Sequence, residues 1–170
     1  RLPEDRFEQY PSVWLEHLDG CLSRLRRQAD AAKVSFDAVA AIAVTGTSGT
    51  VVPTDTDGKA LAPAIMYNDS RAGDEADTVQ QAGSDLSSAL GYRFNSSFAL
   101  PKILWLKANA PELFGRTARF LAPCDIANAY LAGRATESDH TNVLKTGYDL
   151  INDTWPDFLG HLGVPANTLP

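Results

Sequence analysis

The order of apolar and polar residues along the chain predicts a helix-rich α/β protein. Apolar side chains recur every three or four residues over residues 12–33, which predicts an amphipathic helix with Ser12 as its N-cap. A continuous apolar run at residues 38–44 has the length and composition of a strand that is buried on both faces.

A β-hairpin is predicted directly after this strand. Residues 51–58 and 61–66 have the composition of two strands, and Asp57-Gly58 lies at the turn between them. This dipeptide favours a tight turn in which both positions have left-handed backbone angles. Pro53 and Pro63 cannot donate a backbone hydrogen bond, so we expect these strands at the edge of a sheet.

The rest of the chain is predicted to form short helices and one further strand. We expect helices at residues 71–82 and 84–90, from Pro101, from Pro111, and at 124–131, 139–144 and 155–162, with a strand at Phe120-Leu121. Asp69 or Ser70 is expected to cap the first of these helices, and Ser138 or Asp139 is expected to cap the helix at 139–144.

Composition narrows the classes of function. Hydrophobic residues make up 44% and charged residues 21% of the 170 residues, which is typical of folded rather than disordered proteins. A net charge of −6 argues against nucleic acid or an anionic membrane as a partner. No signal peptide and no apolar run near the roughly 18 residues of a membrane span are visible, so a cytoplasmic location is the default expectation.

Thiol and imidazole groups do not suggest a site. Two cysteines do not make a disulfide framework, so Cys21 and Cys124 are expected to be buried free thiols. The three histidines are isolated from one another and from the cysteines along the chain, so no metal site is predicted.

The turn Thr45-Gly-Thr-Ser-Gly-Thr50 is the first candidate for chemistry. Glycine lets a backbone approach a ligand closely, and hydroxyl groups both donate and accept hydrogen bonds, which suits a hydroxylated ligand. The same residues are equally typical of a plain β-turn, and the pattern alone leaves both interpretations open. The turn has no Walker lysine, so a phosphate cradle is not indicated.

Other polar groups are better explained by local structure. Asp69 and Arg71 could bind sugar hydroxyls, but a helix cap with a surface ion pair is the favoured interpretation. Asp125 is interpreted as an N-cap, because a lone aspartate among apolar residues must be hydrogen-bonded. Residues 138–142 contain Ser, Asp and His, but no Gly-x-Ser-x-Gly nucleophile elbow accompanies them, so capping is preferred to a hydrolase triad.

The order of the motifs is more specific than any motif alone. After the polar turn and the hairpin come Pro63-Ala-Ile-Met-Tyr-Asn-Asp-Ser-Arg71, Lys102-Ile-Leu-Trp-Leu-Lys107, Asn109-Ala-Pro-Glu112, Asp125, Ser138-Asp-His-Thr-Asn142 and Leu162-Gly-Val-Pro165. In this order, over about residues 12–170, the chain resembles the N-terminal domain of the FGGY carbohydrate kinases.

The polar turn also bears on the branch of that family. Glycerol kinases carry an Arg-Glu pair at the positions of Ser48 and Gly49, and typical xylulokinases read Gln-Met-His-Gly where this chain has residues 47–50. The turn and the stretch at residues 142–149 are most similar to the ribulokinase-like branch, which includes proteins once named xylulokinases. The resemblance therefore implies D-ribulose as the leading substrate and D-xylulose as the next, and it disfavours glycerol.

The resemblance implies a fold and a mechanism. The fold would be α/β, a partial ribonuclease H-like, actin-like domain that is rich in helices and contains the hairpin. The kinases of this family have two such domains, with ATP and Mg²⁺ bound mainly by the C-terminal one and the sugar mainly by the N-terminal one. Residues 1–170 would be a partial sugar-binding domain of a longer kinase, which we call the parent enzyme, and the ATP-binding domain would be absent.

Residue roles follow by position. The residues that match sugar-site positions of the family are Thr47, Ser48, Gly49, Tyr67, Asp69 and Arg71. Of these, Tyr67 would stack on the sugar, and Asp69 with Arg71 would order the wall of the site. Ser97 stands where glycerol kinases have a sugar-contacting tyrosine. The family's catalytic aspartate has no counterpart in this chain, so we expect the chain alone to be inactive.

Two expectations concern partners. The alternative to a kinase domain is a non-catalytic sugar-binding or regulatory module that has kept the fold. Strands of the family that would pair with residues 38–46 are not in this chain, so exposed backbone edges predict a homodimer, an exchanged strand, or disorder near the N-terminus. A small-molecule sugar is the expected ligand in either case.

Overall fold

The computed structural model describes Pro3, residues 5–134 and residues 136–170. The strands are β1 (Glu8–Gln9), β2 (Val52–Thr54), β3 (Ala64–Ile65) and β4 (Arg119–Leu121). The helices are α1 (Pro11–Ala31), α2 (Gly73–Ala82), α3 (Ser84–Leu90), α4 (Ala99–Asn109), α5 (Pro111–Arg116), α6 (Pro123–Ala132), α7 (His140–Leu144) and α8 (Phe158–His161). Short 3-10 turns lie at Phe36–Ala38 and Ala166–Thr168. The expectation of disorder near the N-terminus falls partly on residues 1, 2 and 4, which lie outside the described residues.

Helix α1 is covered on one side only. It begins at Pro11, because proline lacks the N–H that the first helical position would leave unpaired, and Tyr10 precedes it without a side-chain cap. The prediction of Ser12 as the cap is therefore wrong. Trp14 is half-buried, whereas Cys21 is exposed, so the prediction of a buried thiol is wrong at residue 21 and correct at Cys124.

Two antiparallel strand pairs make up the sheet structure of the described residues. β1 pairs with β3, and β2 pairs with β4, with Val52 opposite Leu121. Between the two pairs, Val51 and Ile65 each donate a backbone hydrogen bond to the other, both at 3.0 Å. The predicted hairpin thus exists as a fold-back of residues 51–66, but each of its arms also pairs with a strand from elsewhere in the chain.

The turn of this fold-back differs from the prediction. Gly58 has a φ of +77°, but Asp57 is not in the left-handed region. The carboxylate of Asp55 accepts hydrogen bonds from the backbone N–H groups of Asp57 and Lys59, at 3.0 and 2.9 Å. A side chain therefore closes the turn, so that only one residue needs positive φ.

Residues 38–44 do not form the predicted buried strand. Residues 36–38 are a 3-10 turn, and the segment that follows has no strand pairing, with Val39 53% and Ile42 59% exposed. The prediction failed because burial on both faces requires neighbouring strands, and none of the described residues extends a strand along this segment.

Most of the apolar core is built around α4. Leu100, Ile103 and Leu106 of this helix are buried against Val79 of α2 and Phe120 of β4. A smaller cluster joins both strand pairs to α6 and is made by Val52, Ala64, Leu121 and Ile126, with Trp14 and Leu15 of α1 packed against it. α1 therefore covers the strands from one side and α4 packs against them from the other.

Caps were predicted with mixed success. Asp139 caps α7 as expected, because its carboxylate accepts the backbone N–H of Asn142 at 3.0 Å. α2 begins only at Gly73, after Ala72, so neither Asp69 nor Ser70 caps it. Asp125 lies inside the first turn of α6 rather than before it, and its buried carboxylate accepts the N–H of Ala122 at 2.7 Å.

None of the helices in the described part of the chain has the length and apolarity to span a bilayer.

Alanine substitutions at one buried and one exposed isoleucine should differ in their effect on the free energy of unfolding. Ile103→Ala removes a fully buried side chain and is expected to lower the free energy of unfolding by about 2–5 kcal/mol. Ile42→Ala is the matched control and should change it by less than about 0.5 kcal/mol, because Ile42 is 59% exposed. Urea unfolding of the 170-residue chain measures both. An equal loss in the two variants would contradict this fold.

Candidate functional site

The polar turn and Tyr67 are neighbours in the structure. The hydroxyl oxygen of Thr50, which is buried, accepts a hydrogen bond from the backbone N–H of Tyr67 at 3.0 Å. This bond fixes the end of the turn against the end of β3. Thr47 and the ring of Tyr67 are exposed and Ser48 is half-buried, so hydroxyl groups and an aromatic ring are presented to solvent on adjacent segments.

Gly49 brings a third segment to the turn. It has a φ of +85°, and a Cβ at this position would overlap the carbonyl oxygen of Ser97. Only glycine permits this approach, because it has no Cβ and adopts positive φ without strain. This segment, residues 95–98, is called the Ser97 loop; the N–H and hydroxyl of Ser97 both donate to the side-chain oxygen of Asn95, at 2.9 and 2.6 Å, and hold the loop in shape.

Asp69 and Arg71 lie behind this surface as a buried ion pair. The Asp69 carboxylate accepts hydrogen bonds from Nε and an Nη of Arg71, at 2.8 and 2.6 Å. It also accepts the backbone N–H of Phe7 at 2.7 Å and that of Arg71 at 3.1 Å. Arg71 forms a second ion pair with Glu8 of β1, at 2.7 Å. The side chains of Asp69 and Arg71 are 0% and 4% exposed, so the expectation that they form a surface ion pair is wrong.

The hydrogen bonds of this pair hold both groups in their charged forms. Burial by itself would raise the pKa of Asp69, but the bonds from Arg71 and from the backbone of Phe7 outweigh it and hold that pKa below its usual value. Burial would likewise lower the pKa of Arg71, and the carboxylates of Asp69 and Glu8 raise it instead. With both Asp69 oxygens already bonded, the pair can order the wall of a site but has little capacity for a ligand.

The same guanidinium connects the wall to α4. Arg71 lies over the ring of Trp105 at 5.0 Å from its centroid, and Arg6 lies 5.3 Å from the same centroid. Cations at this distance from an indole ring are attracted by its π electrons. β1, the loop after β3 and α4 are thus joined at one point.

Lys102 begins one of the motifs that carry the resemblance, but sequence analysis gave it no role at the site. It is 0% exposed, and its Nζ donates to the carbonyl oxygens of Gly49, Ser96 and Phe98 at 3.1, 2.7 and 3.3 Å. A signal for it was available in the sequence, because a lysine one residue before Ile103 and four before Leu106 lies on the apolar face of a helix.

The remaining candidates have structural roles, although Asp139 and His140 line a pocket together with Thr45 and Gly46 of the polar turn. Burial raises the pKa of Asp125, whose hydrogen bond from Ala122 partly opposes the effect, and the residue fixes the start of α6. His140, the first residue of α7, forms an exposed pair with Asp153 at 3.1 Å, and Asp139 serves as a cap. The polar turn, Tyr67 and the Ser97 loop remain as the exposed surface best suited to a hydroxylated ligand.

Comparison with known proteins shows the family. The profile of the FGGY family of carbohydrate kinases, N-terminal domain, matches residues 2–170, and this chain belongs to that family. A xylulose kinase of Bacillus subtilis is 29% identical over 169 residues, which are 96% of this chain and 32% of that protein. A glycerol kinase of Thermococcus gammatolerans is 26% identical and is covered to 36% of its length, with 96% of this chain aligned.

Solved structures confirm the predicted fold class. A structure described as a xyloylose kinase from Brucella ovis superposes with a TM-score of 0.88 and 25% identity, over 100% of this chain and 34% of that chain. A xylulose kinase from Rhodospirillum rubrum superposes with a TM-score of 0.85 and 23% identity, over 100% of this chain and 35% of that chain. This second likeness shows the fold alone. The fold is the ribonuclease H-like, actin-like fold of the FGGY kinases, present as a partial domain. The chain spans about a third of the length of these proteins.

Adding a methyl group at residue 49 should destabilise the fold far more than adding one at a comparable glycine. Gly58→Ala is the matched control, because Gly58 also has positive φ but nothing lies within 4 Å of the added Cβ. We expect Gly49→Ala to lower the free energy of unfolding by about 1–3 kcal/mol more than Gly58→Ala, through its overlap with Ser97. Urea unfolding measures the difference, and equal effects would show that the two segments do not touch.

The buried pair should make stability depend on pH in the acid range. The folded-state pKa of Asp69 is below its unfolded value. The stabilisation that the Asp69 carboxylate contributes is therefore complete above the usual aspartate pKa, about 3.9, and is lost as the pH falls through the folded-state pKa. Asp69→Asn should lower the free energy of unfolding by about 3 kcal/mol at neutral pH and flatten the acid slope. Asp30→Asn, on the exposed face of α1, is the control and should leave the slope unchanged. Unfolding curves between pH 2 and 7 decide the outcome.

Proposed function

We propose that this chain supplies the sugar-binding surface of a longer kinase that transfers a phosphoryl group from ATP to a ketopentose. The observation that carries the proposal is the convergence of the Thr47-Ser48 turn, the exposed Tyr67 ring and the Ser97 loop on one surface, in a domain of the FGGY family. Hydroxyl groups that donate and accept suit sugar hydroxyls, and an aromatic ring suits the C–H face of a sugar.

Two ketoses are the leading substrates. D-xylulose is placed first, which reverses the order that the resemblance implied, because several curated relatives, from Bacillus subtilis, Lactococcus lactis and Escherichia coli, are xylulose kinases. D-ribulose is the second candidate because the turn at residues 47–50 departs from the Gln-Met-His-Gly of typical xylulokinases. Glycerol is disfavoured, since Ser48 and Gly49 replace the Arg-Glu pair that would grip it.

The nucleotide is assigned to the rest of the parent enzyme. Among the described residues, no group of three or more His, Cys, Asp and Glu side chains is arranged to hold a metal ion. The oxygens of Asp69, which lies two residues after Tyr67, are already occupied by hydrogen bonds. As in the family that the chain resembles, ATP and Mg²⁺ are expected to bind mainly to the rest of the parent enzyme, so the chain alone is expected to have no kinase activity.

Within the parent enzyme, this chain would bind and orient the sugar. Ser48 and Thr47 would hydrogen-bond its hydroxyls, Tyr67 would stack on it, and Gly49 would let the Ser97 loop lie against the turn. Asp69 and Arg71 would keep the wall rigid without contacting the sugar. Orientation of the reacting hydroxyl is a large part of what a phosphoryl-transfer enzyme supplies, because the reaction involves little covalent chemistry by the protein.

Turnover by the parent enzyme tests the proposal. ADP release is measured with D-xylulose, D-ribulose, L-ribulose, sedoheptulose and glycerol, and kcat/KM is compared. Ser48→Ala should lower kcat/KM for the preferred ketose by about tenfold, the effect of one lost hydrogen bond of up to roughly 1.5 kcal/mol. Ser88→Ala, an exposed serine on α3, is the control. A preference for glycerol would contradict the proposal that the substrate is a ketopentose. No turnover at all would favour the non-catalytic sugar-binding module.

A further inference from the structure

The ammonium group of Lys102 is buried and fully bonded. The side chain is 0% exposed, and the oxygens of Gly49, Ser96 and Phe98 surround Nζ at 3.1, 2.7 and 3.3 Å. A lysine ammonium has three N–H donors, so the three carbonyls satisfy it completely. A buried charge is stable only when it is bonded in this way, which means that the three oxygens and the ammonium hold one another in place.

These bonds join two segments that are far apart in sequence. Gly49 belongs to the polar turn before β2, whereas Ser96 and Phe98 belong to the loop before α4. The segments come so close that no side chain fits between Gly49 and the Ser97 carbonyl. Carbonyl dipoles brought together from two loops repel, and the positive charge of Lys102 between them offsets that repulsion.

The surroundings of the ammonium contain groups of both signs. Burial lowers the pKa of Lys102 to about 7; the carboxylate of Asp69 opposes this shift, and the cations of Lys145 and Arg71 reinforce it. Lys145, at the end of α7, also lies over the ring of Phe98 at 5.7 Å. Above neutral pH the neutral amine keeps two N–H donors and directs a lone pair toward the third carbonyl.

We propose that Lys102 is a positioning residue of the sugar site, whose ammonium group sets the distance between the polar turn at Gly49 and the Ser97 loop. It does not contact the sugar. By holding the two segments together, it makes Ser48 and the Ser97 loop face one ligand at the same time. This inference rests on the proposed function, and it adds the residue through which the geometry of the site is maintained.

Steady-state kinetics of the parent enzyme test this role. Lys102→Met keeps an unbranched apolar stem, one atom shorter than that of lysine, and removes the charge and donors. We expect the KM for the preferred ketose to rise at least tenfold, while the KM for ATP stays within about twofold, because the nucleotide is bound by another part of the enzyme. A general loss of structure would change both constants together.

Lys107→Met is the matched control. Lys107 lies on the same helix, and its Nζ donates at 2.7 Å to the carbonyl of Leu162, which is outside the polar turn and the Ser97 loop. This variant should leave the ketose KM unchanged. If Lys107→Met raised that KM as much as Lys102→Met, the effect would belong to α4 as a whole and the proposal would be overturned.

A pH profile of the wild-type enzyme gives a second measurement that needs no variant. The ketose KM should rise at least threefold between pH 6 and pH 9, as Lys102 loses its third donor, with a midpoint near 7. A flat profile would overturn the proposal even where Lys102→Met does not fold. No wild-type turnover would overturn the proposed function and this role with it. Turnover with an unchanged ketose KM in Lys102→Met would overturn this role alone.

Discussion

A positive charge buried near the start of α4 is the constraint on which the arrangement of the polar turn depends. An ammonium group leaves water only where oxygen atoms replace its hydration, and for Lys102 these are main-chain carbonyls of two loops. Because Leu100 and Ile103 fix α4 in the core, the helix cannot move toward either loop without exposing apolar surface. The two loops are therefore held against the ammonium group, and its hydrogen bonds to their carbonyls determine the shape of the exposed surface that the loops form.

A second buried cation on the other side of the same region is satisfied in a different way. Arg71 is neutralised by the carboxylates of Asp69 and Glu8, and its guanidinium also lies over Trp105 of α4. Carboxylate partners stabilise the charged form, so Arg71 stays charged at every relevant pH. Carbonyl partners supply no formal charge, which leaves Lys102 sensitive to pH near neutrality. The two buried cations thus differ in that the charge of Lys102 changes near neutral pH and that of Arg71 does not.

Features that depend on neighbours in sequence were predicted better than features that depend on distant packing, although the caps at Ser12 and at Asp69 or Ser70 were wrong. The cap of the helix at 139–144 was predicted to be Ser138 or Asp139, of which Asp139 is the one observed, and the helix at 84–90 was found with its bounds, because short-range signals determine both. The apolar run at residues 38–44 carries the composition of a buried strand, but burial is a property of what packs against it. At the site, the turn could be found from its hydroxyls and glycines. Lys102 could not be assigned a role until the three carbonyls around it were placed.

The close approach of Gly49 to the Ser97 loop affects how this surface could change during evolution. A larger residue at position 49 meets a backbone carbonyl that cannot rotate away, so no single substitution there is neutral. The loop at residues 95–98 would have to open first, and Asn95 holds it closed through two hydrogen bonds to Ser97. Substitutions in the turn and in the loop are therefore epistatic, and their order matters. A lineage in which this loop has closed over a glycine is confined to variants that keep both features, or must change both together.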